Sequence, residues 1–340
     1  IPFRDQVELT RTCVNSIKLN AGKNCNYEIV LIDNGSAKNS TKEWIRDVVE
    51  EDNIQCIRLD EEFNYSRINN KARQLCRGDF LLFLNNDIEF ISGSVLNALL
   101  DPFAHPKTVA VGSRLNYPDG SIQHQGVVII PGERRCVLEP GKHLNEQEVI
   151  ASLLPLRTQE EFSAASAACL MVKAQCFDLV GGFDEKLAVV FNDVDLCLRL
   201  RDAGGAIVVT PHASITHYES LSRGKDQVGC AWARHQRESG RLRQKHKTIY
   251  AKGDPLISPL LHHHSTRYEP LLKQVVPLRP AREAVLFTWK RSLRTNDQRI
   301  PLIFAQYDSN PDKPIRSDIL DLLRKYRRHF YVQVVAATPS

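Results

Sequence analysis

The chain has 340 residues, 42% of them hydrophobic, enough for one large or two ordinary α/β domains with a buried core, which excludes a disordered polypeptide. Lysine and arginine total 45 against 40 acidic residues, and a net charge of +5 is too mild to indicate nucleic acid by itself while remaining compatible with anionic substrates or a lipid surface. The nine cysteines form no CxxC pair, which predicts reduced thiols in a cytoplasm-like compartment and argues against a disulfide framework or a zinc site.

The opening residues IPFRD read as the tail of a strand, as if cut from a longer protein. Asp5 and Glu8 have the spacing of a capping box, and Leu9, Cys13 and Ile17 continue it as a helix to about Asn20. A strand at Glu28–Ile32 ends in Asp33-Asn34-Gly35-Ser36, residues that favour a tight turn. A helix near Ser40–Glu51, a strand at Ile54–Leu59 and a helix at Ser66–Cys76 follow, and this alternation predicts parallel βαβ units. The apolar run Phe80–Leu84 then predicts a strand buried on both faces inside a parallel sheet, with Asn85, Asn86 and Asp87 at its carboxyl end. In open α/β sheets ligands bind outside the carboxyl ends of the strands, so Asp87 is a candidate metal ligand.

After Ile91 the periodicity predicts a helix at Ser94–Phe103, strands at Val109–Leu115 and Val127–Ile130, and an irregular insertion containing Pro131, Pro140 and Pro155. Regular structure resumes with Ala164–Val172, the GGFDE string at Gly181–Glu185, a helix from Asn192, a strand at Ala206–Val209 and a basic helix at Lys225–Lys247. Asp254–Pro280 reads as a linker, with His262–His264 in a loop. Ile300–Tyr307, a helical Ile315–Arg328 and Phe330–Val335 begin a fresh β-α-β module. No apolar run approaches the roughly 20 residues of a spanning helix, and no signal peptide opens the chain.

Asp193 and Asp195 stand about 200° apart on a helix, so they cannot both face one site. Asp195 precedes Arg199 by four residues, which predicts a surface ion pair worth a few tenths of a kcal/mol, and as the third residue after Asn192 it can also serve the helix N-terminus. Asp193 has no local partner at its spacing and is the candidate to face a pocket. His217, at the end of a short strand, is a candidate ligand through a neutral imidazole nitrogen.

The ordered set EIVLIDNGS, FNYSRINNKA, LLFLNNDIEF, GGFDE, FNDVDLCLRLRDAGG and HYESLSRG resembles the family 2 inverting nucleotide-sugar glycosyltransferases, in the branch that builds bacterial surface polysaccharide, over residues 1–250. IFAQYDSNPDKPIRSDILDLLRKY resembles the start of rhamnan synthesis protein F, which gives a linker at 251–283 and a partial module at 284–340. The first resemblance implies an α/β GT-A fold, a Rossmann-like mixed sheet with helices on both faces, and a divalent cation, Mn2+ or Mg2+. It places Pro2, Phe3, Arg4, Asp33, Arg67, Asn70, Asn85 and Asn86 on the donor. It makes Asp87 and His217 metal ligands, and Asp193 the general base. Gly182, Phe183, Asp184, Glu219 and Arg223 fall on the acceptor or diphosphate side. Asn85 departs from the family pattern, a neutral amide where the metal-binding motif has its first carboxylate, so metal binding should lean on Asp87, the diphosphate and His217.

The implied reaction is single displacement of a UDP- or dTDP-linked sugar by a hydroxyl of a growing glycan, including a lipid-linked one, in the cytoplasm at the inner face of a bacterial membrane. The basic run Arg223–Lys247 would meet the anionic leaflet, with no nucleic acid involved. One alternative is a catalytically weak glycan- or nucleotide-sugar-binding module of a larger transferase. Another is a nucleotidyltransferase or an oxidoreductase, whose dinucleotide form is disfavoured because no GxGxxG follows an early strand.

Overall fold

The computed structural model describes residues 1–22, 25–131, 136–151, 157–218, 228–257 and 266, and the strands at 285–288, 300–306 and 330–336. The elements run β1 (Pro2–Phe3), α1 (Val7–Asn20), β2 (Ile29–Asp33), α2 (Asn39–Val48), β3 (Ile54–Arg58), α3 (Tyr65–Arg73), β4 (Phe80–Leu84), β5 (Ile88–Phe90) and α4 (Val95–Leu100). Then come β6 (Thr108–Ser113), β7 (Leu115–Asn116), β8 (Ile122–His124), β9 (Val128–Ile129), β10 (Val137–Leu138), α5 (Glu146–Ala151), β11 (Glu160–Phe162), β12 (Cys169–Lys173) and α6 (Ala174–Leu179). The unit closes with α7 (Asn192–Asp202), β13 (Ala206–Thr210), β14 (Ile215–His217), α8 (Val228–Lys245) and α9 (Lys247–Lys252).

The chain divides into two compact units, residues 1–150 with 156–269, and 151–155 with 270–340. In the second, β15 (Val285–Thr288), β16 (Ile300–Gln306) and β17 (Phe330–Ala336) form one sheet in that order. The parallel pairing of β16 with β17 fits the expected β-α-β connection. The helix expected at 315–328 and the triple histidine lie outside the described residues.

In the first unit β1, β2 and β3 form a parallel sheet, as the βαβ spacing predicts. The larger sheet is mixed, in the order β11-β13-β6-β12-β4, and here the structure corrects the sequence. β4 is an edge strand of this sheet, antiparallel to β12, and Phe80 is 36% exposed at its start. An apolar run reports burial but not the direction of its neighbour, and the partner comes from residues 169–173. A cavity of about 590 Å³ lies between β2 and β4, lined by Ile29, Val30, Leu82, Leu84 and others, with neither Asp87 nor Asp193 on its wall.

The capping box is also absent. Asp5 and Gln6 take positive φ values of 50° and 51°, and the Asp5 carboxylate turns to the next crossover, where Oδ1 accepts from the amides of Ala37 (3.1 Å) and Lys38 (2.9 Å) ahead of α2. Cys13, Val14 and Ile17 of α1 pack in one core with Leu31, Leu84, Phe90, Val111 and Met171, so the helix is fixed by its apolar face.

A third sheet, β5-β14-β7-β8, brings the site together. The hairpin joining β7 to β8 turns at Gly120 (φ +83°), where Tyr117 N donates to Ser121 O (2.8 Å) and Asp119 Oδ1 accepts from the amide and hydroxyl of Ser121. Leu115 pairs with His124, and a register shift follows before Asn116 pairs with Ile122.

Candidate active site

β4 stops at Leu84, and the chain turns through Asn85, Asn86 and Asp87 before re-entering as β5. β14 runs antiparallel to β5 with His217 opposite Ile88, which sets the imidazole beside the preceding carboxylate. His217 Nε2 lies 3.1 Å from Asp87 Oδ1 and 3.5 Å from Asn85 Nδ2, while its Nδ1 is 2.5 Å from Gln123 Oε1 on β8. Asp87 (3% exposed), His217 (8%) and Gln123 (4%) are all buried. Asn86 is directed elsewhere, its amide donating to Thr10 Oγ1 (3.1 Å) inside the protein.

Two cis ligands of an octahedral divalent ion at about 2.1 Å each are about 3 Å apart, so the Asp87 and His217 donors fit a Mn2+ or Mg2+ ion. They are only two. No cluster of three or more His, Cys, Asp or Glu side chains capable of holding a metal occurs among the described residues, so the remaining ligands would have to come from diphosphate and water.

Asp193 opens α7, which begins after Phe191 in a left-handed conformation (φ 62°). Its Oδ2 accepts from Ala167 N (3.1 Å) and its Oδ1 from Val194 N (2.8 Å). Burial pushes the carboxyl pKa up, and these two backbone amides offset part of the rise. The next residue, Ala168, accepts from Asn85 N (3.0 Å). Consecutive residues of one segment thereby join the Asp193 carboxylate to the turn that carries Asp87.

Asp195 points away from Asp193, as the helical spacing predicts, but its surroundings are not those of a surface pair. It is fully buried, and Arg199 Nε (2.8 Å), Lys245 Nζ (2.8 Å) and His246 Nε2 (2.8 Å) converge on it. Burial alone would raise its pKa, but the His246 hydrogen bond, Arg199 and Lys245 bring it down to about 2. Nor does it serve the helix N-terminus; Asn192 Oδ1 accepts from Asp193 N there (2.8 Å).

The remaining predicted residues fall into separate groups. Asn70 clamps residue 183, with Nδ2 donating to Phe183 O (3.0 Å) and Oδ1 accepting from Phe183 N (2.9 Å). Gly182 has φ +69°, and a Cβ there would meet Asn70 Oδ1 at 2.7 Å, so the clamp requires glycine. Arg67 pairs with Glu185 (3.3 Å), and Phe183 packs against Tyr65, Phe83 and Phe177. Asp184 is held by Arg241 (2.8 Å) and Lys245 (3.1 Å). Pro2 and Phe3 are buried in β1, Phe3 edge-on to Trp44, while Arg4 is exposed. Asp33 is buried, paired with Arg58 (2.6 Å) and accepting from Ser36 N (2.7 Å), beside a cavity of about 540 Å³ lined by Lys42, Ile45, Val49, Cys56 and Arg58. Glu219 and Arg223 lie outside the described residues.

Two residues with a clear place here escaped the sequence reading, Gln123 and His124. His124 is 2% exposed, and its Nε2 accepts from the amides of Gly126 (3.2 Å) and Ser166 (3.0 Å), the latter next to the residue that holds Asp193. Its Nδ1 faces Glu139 (3.2 Å), whose pKa is brought to about 2 against the pull of burial by His124 and Lys142. The available signal was a polar QHQ triplet running straight into an apolar strand.

Residues 1–143 match the model of the family described as Glycosyl transferase family 2. The chain is 37% identical over 267 residues to uncharacterized protein y4gI of Sinorhizobium fredii, covering 77% of this chain and 28% of that protein. It is 33% identical over 232 residues to O-antigen biosynthesis protein RfbC of Myxococcus xanthus (67% of this chain, 18% of that one). It is also 33% identical over 162 residues to N-acetylglucosaminyl-diphospho-decaprenol L-rhamnosyltransferase of Mycobacterium tuberculosis (46% and 52%). The chain thus spans under a third of the first two relatives and about half of the third. Among solved structures, that of GalNAc-T7 with UDP, GalNAc and Mn2+ superposes with a TM-score of 0.51 at 15% identity, covering 66% of this chain and 44% of that one, a likeness of fold. With the mixed sheet and its flanking helices in place, the match at residues 1–143 identifies a family 2 glycosyltransferase region there, and the superposition gives the first unit a GT-A kind of fold.

Proposed function

We propose that the chain is a metal-dependent inverting glycosyltransferase that moves a sugar from a UDP- or dTDP-linked donor to a hydroxyl of a growing surface glycan by single displacement. The observation that carries this reading is the buried Asp87–His217 pair, linked through Ala167 and Ala168 to a separate carboxylate, Asp193, whose pKa is raised. A bound Mn2+ or Mg2+ would supply positive charge to the leaving diphosphate. Asp87 and His217 would hold that ion. Asp193 accepts the proton of the attacking hydroxyl. Asp33 and the cavity beside it take the base and ribose end of the donor, with Pro2, Phe3 and Arg4 contributing backbone and edge. Arg67 and Asn70 act on the donor indirectly, by fixing Gly182, Phe183 and Asp184 at the edge of the acceptor pocket, while Glu219 and Arg223 lie on the diphosphate side. The M. tuberculosis relative's name speaks of a diphospho-decaprenol acceptor, which supports a lipid-linked glycan here. Residues 284–340 then form part of a following module of the rhamnan-synthesis-F kind.

The test is Asp87→Ala. It is expected to remove Mn2+-dependent stabilisation by UDP or dTDP in thermal denaturation and to stop release of free nucleoside diphosphate, because neither Asn85 nor Asn86 can replace the lost charge. Metal dependence unchanged from wild type would place the site elsewhere. Nucleoside diphosphate release that never occurs, with donor binding intact, would favour the catalytically weak binding module, a reading to which the Asn85 amide lends support.

The proposal includes peripheral attachment to an anionic leaflet; no helix among the described residues is long and apolar enough to cross a membrane. The basic helix needs revision as the contact surface. Among the described residues of that run, Arg241 and Lys245 are tied to Asp184 and Asp195, whereas Arg237 and Lys247 are exposed and placed to meet lipid. Replacing both by glutamine is expected to weaken binding to phosphatidylglycerol vesicles by about 2 kcal/mol, roughly 30-fold, at low salt, with donor hydrolysis unchanged. Sedimentation with vesicles measures this, and wild-type protein that stays in the supernatant at low salt ends the membrane claim.

A further inference from the structure

We propose that Gln123 is a positioning residue that sets the tautomer of His217 and so aims a bare imidazole nitrogen at Asp87. The inference deepens the metal-site reading above and rests on it for its purpose. Gln123 lies on β8, buried, with Oε1 2.5 Å from His217 Nδ1 and Nε2 3.5 Å from the carbonyl oxygen of the same histidine. The opposite amide orientation would set Oε1 against that carbonyl, two acceptors with no proton between them, so the backbone of His217 favours the orientation with Oε1 on the ring. With Oε1 facing the ring, Nδ1 carries the hydrogen and donates it.

In a neutral imidazole the other nitrogen then has only a lone pair. Nε2 faces Asp87 Oδ1 at 3.1 Å, with the Asn85 amide at the long distance of 3.5 Å. Lone pair against carboxylate is relieved either by a proton taken up on Nε2 or by a divalent cation, which Asp87 and His217 would hold between them. A metal-bound histidine commonly gives its second N–H to an acceptor that fixes ring and tautomer, and loss of that acceptor costs about 10- to 100-fold in metal affinity. Gln123 is placed for that role from a strand 94 positions away in sequence from His217. A neutral amide, unlike a carboxylate, leaves the ring's own proton in place and adds no charge to the site.

The experiment uses the full chain in three forms, wild type, Gln123→Met and Gln123→Glu. Methionine has the same reach without an acceptor; glutamate keeps an acceptor. Long-range ¹H–¹⁵N NMR on ¹⁵N-histidine protein, with His217 assigned from a His217→Gln sample, reads the tautomer without metal, and Mn2+ titration by EPR with UDP or dTDP present reads affinity. Expected, at a pH high enough that the ring is neutral, are an Nδ1–H tautomer in wild type and Gln123→Glu, its loss in Gln123→Met, and Mn2+ binding about 10- to 100-fold weaker in Gln123→Met alone. An Nε2–H tautomer in wild type overturns the proposal, as does a Gln123→Met variant that keeps both tautomer and affinity. If Gln123→Met fails to fold, an Nε2–H tautomer in the folded Gln123→Glu overturns it equally. A wild-type Nδ1–H tautomer that depends on Gln123 in a protein that binds no Mn2+ or Mg2+ supports the positioning role and overturns the metal reading, so the two failures are distinguishable.

Discussion

Asp193→Asn is expected to lower glycosyl transfer by about 10²- to 10⁴-fold while leaving donor binding within about twofold of wild type. Asparagine keeps the shape of the side chain and one of its two acceptor contacts, to Ala167 N or Val194 N, but cannot take a proton. The cost to stability is small, because the lost hydrogen bond, about 1 kcal/mol, is offset by removal of a carboxylate that burial penalises. The pH dependence follows from that penalty. With the folded pKa above the unfolded one, protonation of Asp193 contributes stability that is full below the unfolded pKa and lost as pH rises through the folded value. Activity runs the other way, rising with pH through the same raised pKa as the base ionises. Single-turnover transfer over a pH series, with donor binding measured in parallel, checks both, and transfer at the wild-type rate in Asp193→Asn would remove this residue from the base role.

Asp195→Asn should do the reverse, harming the fold far more than the chemical step. Removing the charge leaves Arg199, Lys245 and His246 gathered around a buried neutral amide, and breaking a buried pair from one side costs about 3–5 kcal/mol. The pKa of about 2 makes the same point by titration. A depressed carboxyl contributes stability that is present above its ordinary value of 3.8 and lost as pH falls toward about 2. Wild-type protein should therefore weaken in that window and Asp195→Asn should show less of the loss. Urea denaturation at neutral and acid pH gives both quantities. A loss below about 1 kcal/mol at neutral pH would mean that the four side chains are solvated and independent, in the range of a surface pair.

That contrast also marks what was legible in the sequence. Helical spacing separated Asp193 from Asp195 correctly, because periodicity is a local property. The depth of Asp195 was not legible, since Lys245 and His246 reach it from the junction of α8 and α9, about 50 positions later. The first two βαβ steps were readable within a few residues of their observed bounds. The direction and edge position of β4 were not, because its neighbour β12 is reached only after several other strands and two helices, with Cys169 pairing Leu84. Asp5 followed a familiar spacing to the wrong helix; its carboxylate found two free amides ahead of α2 that a local pattern does not reveal. Asp87 and His217 were each visible as strand-end residues, yet their meeting depends on a pairing of β5 with β14 across 130 positions. Gln123 and His124 were missed because a glutamine beside a histidine carries no motif; their meaning comes from burial and from what stands opposite.

The short hairpin that presents those two residues carries a constraint of its own. Gln123 and His124 are neighbours on one strand, so their side chains leave it on opposite faces, one toward His217 and the other toward the Ser166 amide. Lengthening or shortening the Tyr117–Ser121 turn by one residue would shift the strand by one position and exchange the faces, withdrawing support from the Asp87 side and the Asp193 side together. Point changes in that turn other than at Gly120, whose positive φ favours glycine, are absorbed locally; insertions and deletions are not. Among relatives that keep this chemistry, the connection should therefore vary in composition around that glycine while its length stays fixed.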